Sequence, residues 1–184
     1  MLHIGSTRYS SLNKLVYLSF TAQRVSAHFI MKKYDPIHPY GDRQILFDKR
    51  YLEMARIWAK NSYCKRRQVG ALIVKEKMII SDGFNGTPAG FENICEDENF
   101  KTKPYVLHAE ANAITKVAKS NNSSEGATLY ITTSPCMECS KLIIQAGIRR
   151  VVYCDAYRTQ DGLELLQKAG IEVDYIELQV ENEI

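Results

Sequence analysis

The chain has 184 residues, 45% hydrophobic and 24% charged, with a net charge of +3. That profile suits one globular domain of ordinary size plus a short extension. A charge this small makes no case for nucleic-acid or membrane binding, and no apolar run approaches the roughly eighteen residues that a membrane span needs.

Residues 1–34 contain no Asp or Glu and carry Arg8, Lys14, Arg24, Lys32 and Lys33. Leu15 to Phe20 is too short an apolar run for a secretory signal, and Arg24 lies beyond it. An Arg- and Ser-bearing, acid-poor start also resembles an organellar presequence. The preferred expectation is an unstructured extension over residues 1–44, or sequence upstream of a start at Met31, with Asp35 to Gly41 as a Pro- and Gly-broken linker. The domain is then residues 45–184.

Within it, Tyr51, Leu52, Met54, Ala55 and Trp58 form a helical stripe over residues 48–61, with Asp48 as N-cap. Val69 to Lys75 and Met78 to Phe84 read as a hairpin turned at Glu76-Lys77. Residues 86–104 show no periodicity and read as a long loop, a feature that tends to be functional. Ala109 to Lys119 is rich in helix formers. A strand over Thr128 to Thr132, a helix over Cys136 to Gln145 and a strand over Arg150 to Cys154 follow. A helix from Leu163 to Lys168 is closed by Gly170, and Ile171 to Leu178 is a last strand. The order α-β-β-α-β-α-β-α-β implies an antiparallel hairpin joined to parallel strands with right-handed crossovers, an α/β fold.

The five cysteines are Cys64, Cys95, Cys136, Cys139 and Cys154. An odd count with one tight C-x-x-C pair does not read as a secreted disulfide framework; a reduced compartment with a metal or redox site fits better. Catalytic zinc takes three protein ligands and leaves a fourth position open. Cys136 and Cys139 share the first turn of a helix, whose positive end favours thiolates. Pro135 suits that helix start. His108 can complete the set from the start of the neighbouring helix, at the edge of the sheet where α/β sites collect. Of the four histidines, at 3, 28, 38 and 108, it alone lies in the domain. Glu110, two residues on, is placed to reach a metal-held water without being a ligand. H-x-E followed by P-C-x-x-C is the known signature of zinc deaminases. A closed zinc site with Cys64, Cys95 or Cys154 as fourth ligand leaves Glu110 without a role, and a redox C-x-x-C explains neither His108 nor Glu110.

Between Tyr51 and Tyr175 the chain resembles the deoxycytidylate (dCMP) deaminases of the cytidine deaminase-like superfamily. The likeness lies in Gln68 to Ala71, in the Gly83 to Gly90 loop (G-F-N-G-T-P-A-G), and in Pro104 to Ile114. It continues in Ser134-Pro135-Cys136 and in Lys141 to Ile148. Phe84 departs from the Tyr usual there. The resemblance implies a three-layer αβα fold, a mixed five-stranded sheet flanked by helices. It implies hydrolysis of dCMP to dUMP and ammonia, with hydroxide activated on zinc attacking C4 and Glu110 shuttling protons. The implied zinc ligands are His108, Cys136 and Cys139. The implied substrate contacts are the Ala109 backbone, Ser134, Asn85 at the sugar (or a plain turn Asn) and Tyr157 stacked on the base. Arg158 and the Lys65-Arg66-Arg67 run are candidates for the 5′-phosphate.

Cys64 and Cys95 fall where two ligands of a second, structural zinc would lie. The domain has no further His, however, and Val106 stands where an acidic ligand would be expected. Small buried thiols are the other reading. The resemblance also brings a homo-oligomer, dimer or hexamer, control by dCTP and dTTP, and a cytoplasmic setting, with no nucleic-acid or membrane partner. Two rivals are a tRNA adenosine deaminase and a catalytically silent zinc-containing DNA-uptake accessory protein; an intact Glu110 argues against the second.

Overall fold

The computed structural model describes residues 41–178. Four helices and five strands follow in the expected order: α1 Gly41–Ala59, β1 Gly70–Lys75, β2 Met78–Phe84, α2 Ala109–Ala118, β3 Thr128–Thr133, α3 Met137–Gln145, β4 Arg150–Asp155, α4 Asp161–Lys168 and β5 Glu172–Tyr175. The sheet runs β2-β1-β3-β4-β5. β1 pairs antiparallel with both β2 and β3, while β3, β4 and β5 are parallel. The sheet is therefore mixed, as the hairpin followed by β-α-β units requires.

Strand alternation sorts the side chains into two cores. Leu72, Val74, Tyr130, Val152 and Cys154 pack with Leu52 and Ala55 of α1 on one face. Ala71, Ile73, Leu129, Ile131 and Val151, equally buried, point to the other, where α2, α3 and α4 pack. β1, β3 and β4 are thus covered on both faces and buried along nearly their whole length.

The first helix departs from expectation. It starts at Gly41 rather than at Asp48, because nothing between Gln44 and Phe47 breaks a helix. Of the extension expected over residues 1–44, residues 1–40 lie outside the described residues, and 41–44 form the first turn of α1. Asp48 is not a cap but a fully buried carboxylate. It accepts hydrogen bonds from Tyr130 Oη at 2.6 Å, Gln44 Nε2 at 2.9 Å, and Arg150 Nη1 and Nη2 at 3.0 and 2.8 Å. Arg150 Nε also donates to Asp174 at 2.7 Å. A two-pronged guanidinium–carboxylate pair is the form in which buried charges are tolerated. It rivets α1 to β3, β4 and β5. The hairpin turn has φ of 50° and 64° at Glu76 and Lys77, left-handed values that suit a type I′ turn. Tyr51 of α1 donates to the Lys77 carbonyl at 2.9 Å and holds it. The last strand ends at Tyr175, short of Leu178, because pairing with β4 runs out at Tyr153.

Candidate active site

Two helix starts converge at one edge of the sheet. The long loop after β2 doubles back, pairing Gly86 with Leu107 through hydrogen bonds of 3.0 and 2.9 Å in each direction. This delivers His108 as the extended N-cap of α2, with φ −75° and ψ 160°. Directly after β3, Pro135 turns the chain, and Cys136 is the extended N-cap of α3, with φ −78° and ψ 170°. Gly83 lets β2 lie on the first turn of α2: a Cβ there would overlap the Ala109 carbonyl oxygen and come 2.7 Å from the Ala113 nitrogen. The side chain missing at Gly83 thus seats the helix that carries His108 and Glu110.

His108 Nδ1 lies 3.5 Å from both Cys136 Sγ and Cys139 Sγ. The three donor atoms fall within 4.8 Å of one another, and among the described residues no other group of three His, Cys, Asp or Glu side chains does so. Zinc bonds of about 2.3 Å to sulfur and 2.0–2.1 Å to nitrogen, opened at a tetrahedral angle, separate the donors by about 3.6 Å. Both the spacing and the donor chemistry fit zinc with one position left over. The Cys136 thiol is pulled down to about 4, first by its hydrogen bond with Cys139 and then by His108. Cys139, the donor in that bond and the more buried of the two, is pushed up. His108 is raised by its bond to Cys136. A divalent cation takes its thiol ligands deprotonated, so its binding here would release a proton.

Glu110 is buried in the first turn of α2, and burial raises its carboxyl to about 7. A carboxyl poised there can take up and give back a proton near neutral pH. His108, Glu110 and Cys136 line a cavity of about 280 Å³. Every other residue expected at the substrate lines it too: Asn85, Ala109, Ser134, Tyr157 and Arg158. Arg66 and Arg67 join them, whereas Lys65 faces a separate cavity beside Cys95.

The hydrogen bonds refine these placements. The Asn85 side chain accepts from Val69 N–H at 2.8 Å and donates to the Arg67 carbonyl at 2.8 Å. These two bonds make it more than a plain turn residue: they fasten the Arg67 segment to the wall of the cavity that Asn85 itself lines. Ala109 sits at N1, where helix geometry leaves its amide without an intrahelical acceptor. Ser134 Oγ accepts the Tyr157 amide at 2.8 Å, which ties the segment after β4 to the turn that carries Cys136. Arg67 lies 3.8 Å from Asp155, which also holds Arg56 at 3.7 Å.

Three lining residues carry no signal in the sequence. Buried Glu96 accepts the Lys65 and Arg66 amides at 3.0 and 3.1 Å and orients that basic segment. Thr102 accepts from Arg66 Nη1 at 3.0 Å. Thr133 ends β3, and its buried hydroxyl has no partner among the described residues.

Cys64 and Cys95 do come together, but as a disulfide, with Cα atoms 5.1 Å apart. That corrects the expectation of reduced thiols: the two segments approach within ordinary disulfide range, which the odd cysteine count could not reveal. Joined in this way, neither sulfur is a thiolate donor for a second zinc.

The sequence pattern of the cytidine and deoxycytidylate deaminase zinc-binding region matches residues 46–155. The chain belongs to this family. ComE operon protein 2 of Bacillus subtilis is 35% identical over 139 residues, covering 73% of this chain and 74% of that protein. The deoxycytidylate deaminase of Enterobacteria phage T4 is 36% identical over 165 residues, covering 66% and 86% respectively. Among solved structures, the dCMP deaminase of cyanophage S-TIM5 in complex with dCMP and dUMP is 46% identical with a TM-score of 0.70, covering 71% of this chain and 97% of that one. The three-layer arrangement and mixed sheet are those of the cytidine deaminase-like fold. The matched span runs from α1 to the end of β4 and so includes all three metal donors and Glu110.

Proposed function

We propose that this protein is a zinc-dependent hydrolytic deaminase that converts dCMP and water to dUMP and ammonia. One observation carries the reading. A His/Cys/Cys donor set lies beside a buried carboxylate at a cavity whose walls bear Arg66, Arg67 and Arg158. His108, Cys136 and Cys139 would hold the metal, whose Lewis acidity makes water nucleophilic near neutral pH.

The chain's own groups do the rest. Glu110 accepts the proton that water loses on attacking C4 and delivers it to N3 of the cytosine. It then carries the second water proton to the N4 amine, so that the C4–N4 bond breaks and ammonia leaves. The Ala109 amide offers a donor to the polar edge of the base. Ser134 holds the Tyr157 backbone, and the Tyr157 ring would stack on that base. Arg67 and Arg158, with Arg66, supply guanidinium donors for the 5′-phosphate, a geometry that suits two-pronged anion recognition.

A single zinc per chain, a dimer or hexamer, control by dCTP and dTTP, and a cytoplasmic setting belong to the same proposal. Support for the first comes from the single His/Cys/Cys group found among the described residues. Support for the nucleotide control comes from the resemblance of the Gly83 to Gly90 loop to that of the family, Phe84 apart. No helix among the described residues is long and apolar enough to cross a membrane.

The accessory-protein alternative has one point in its favour, the likeness to ComE operon protein 2. The complete proton-transfer site argues for turnover. Ammonia release from zinc-loaded protein, offered dCMP, CMP, deoxycytidine, dCTP and a tRNA anticodon stem in turn, separates the readings. Release from dCMP above all others is the expected result. Release from the tRNA alone, or from nothing, would reject it.

A further inference from the structure

The metal-bearing turn is gripped from behind by α4, at a residue that no motif includes. Gly162 is buried in the first turn of α4. A Cβ built on it would overlap the Pro135 carbonyl oxygen, and would come 2.8 Å from the carbonyl carbon of Cys136 and 2.9 Å from Ser140 Oγ. Its φ lies outside the left-handed region, so backbone conformation does not demand glycine there. What demands it is that two backbones touch. The peptide touched is the one that turns β3 into α3 and sets Cys136. Ser140, also fully buried in this contact, has a hydroxyl with no partner among the described residues, so no side-chain bond holds the two helix starts together there. The contact depends on fit alone.

The same short segment grips the turn a second time, where the Tyr157 amide donates to Ser134 Oγ. Between these two points runs Arg158, exposed on the cavity wall. The Cys136 donor and the Tyr157–Arg158 segment are therefore fixed against each other by Gly162 at one end and Ser134 at the other.

We propose that Gly162 is a positioning residue: its missing side chain seats the Cys136 turn for metal binding and sets the register of the Tyr157–Arg158 segment against it. This rests on the metal-site reading given above. Groups behind a metal ligand typically change affinity by about 10- to 100-fold when altered. Helix propensity alone makes Gly162→Ala favourable, so a loss of metal affinity would not come from a weaker α4 helix.

The test compares Gly162→Ala with Leu166→Ala, which removes a fully buried side chain one helical turn further along α4. Zinc dissociation constants are measured by chelator competition, cobalt(II) is used to read the thiolate charge-transfer and d–d bands, and KM for dCMP is measured on the zinc-loaded proteins. Gly162→Ala should weaken zinc about tenfold or more, shift the cobalt spectrum and raise KM several-fold. Leu166→Ala should lower the thermal midpoint yet keep zinc affinity within about twofold and leave the cobalt spectrum unchanged. Equal effects in the two variants, or parental zinc affinity in Gly162→Ala, would overturn the proposal. Should Gly162→Ala not fold, Ser140→Thr presses one methyl group on the same contact from α3 and is held to the same outcomes. A parent protein that binds no zinc would instead overturn the metal-site reading.

Discussion

At Glu110 two demands meet: the side chain must lie close to the metal donors, and it must not become one of them. Its place in the first turn of α2, two residues after the N-cap His108, satisfies both. Glu110→Gln keeps the shape and removes the exchangeable proton. Turnover should fall by about 10²- to 10⁴-fold while zinc content, read by elemental analysis, stays at the parental level. The buried carboxyl also leaves a mark on stability. In metal-stripped protein it holds its proton up to about pH 7 in the fold, against an ordinary value of 4.5. The folded state therefore binds more protons than the unfolded state between those values, and stability falls as pH rises through that window. A gap of about 2.5 pH units amounts to roughly 3 kcal/mol. The thermal midpoint of stripped protein should drop more from pH 5 to pH 8 than that of stripped Glu110→Gln; identical pH profiles would contradict the burial argument. His108, Glu110, Cys136 and Cys139 were all legible in the sequence, because spacing on a helix start fixes direction over three or four residues. Glu96, Thr102 and Thr133 were not. Each reaches the cavity through a fold contact spanning some thirty residues or through strand alternation, and neither leaves a local pattern.

Among the elements, the segments from Cys64 to Gln68 and from Ala156 to Gln160 bring Arg66, Arg67 and Arg158 to the cavity wall. Charge in a run such as Lys65-Arg66-Arg67 is ambiguous in sequence. The fold divides it: Arg66 and Arg67 face the cavity, and Lys65 turns away. Arg67→Ala and Arg158→Ala should each raise KM for dCMP by about tenfold or more, the worth of a charge-assisted hydrogen bond, and leave activity on deoxycytidine unchanged. An unchanged KM for dCMP in both would remove these arginines from the site. The helix starts were legible wherever an N-cap or proline marked them, as at His108 and Pro135. α1 was misplaced because Asp48 imitates a cap. An aspartate before an apolar stripe looks the same whether it accepts its own helix amides or, as here, an arginine from β4 about a hundred residues later.

For the molecule as a whole, stability and chemistry occupy opposite faces of the sheet. The Asp48–Arg150 pair locks α1 beneath β3 and β4, while the His108, Cys136 and Cys139 group sits above, at the starts of α2 and α3. Arg150→Met leaves Asp48 buried without its guanidinium and should cost about 3–5 kcal/mol, lowering the thermal midpoint by on the order of 10 °C. The fraction that remains folded should turn over at the parental rate, which a folded-fraction-corrected assay reads. The fold class followed from element order alone, since a hairpin followed by alternating helices and strands admits few sheets. The Cys64–Cys95 bond did not, because pairing depends on two loops meeting. Zinc content should accordingly be one per chain, and two would place a further metal where the bond now lies. The most direct test loads purified protein with a single zinc and measures dUMP and ammonia formed from dCMP, beside Glu110→Gln treated identically. Equimolar dUMP and ammonia from the parent, with almost none from the variant at equal zinc content, is the expected result. Equal turnover by both proteins, or deamination unaffected by removing the metal, would contradict it.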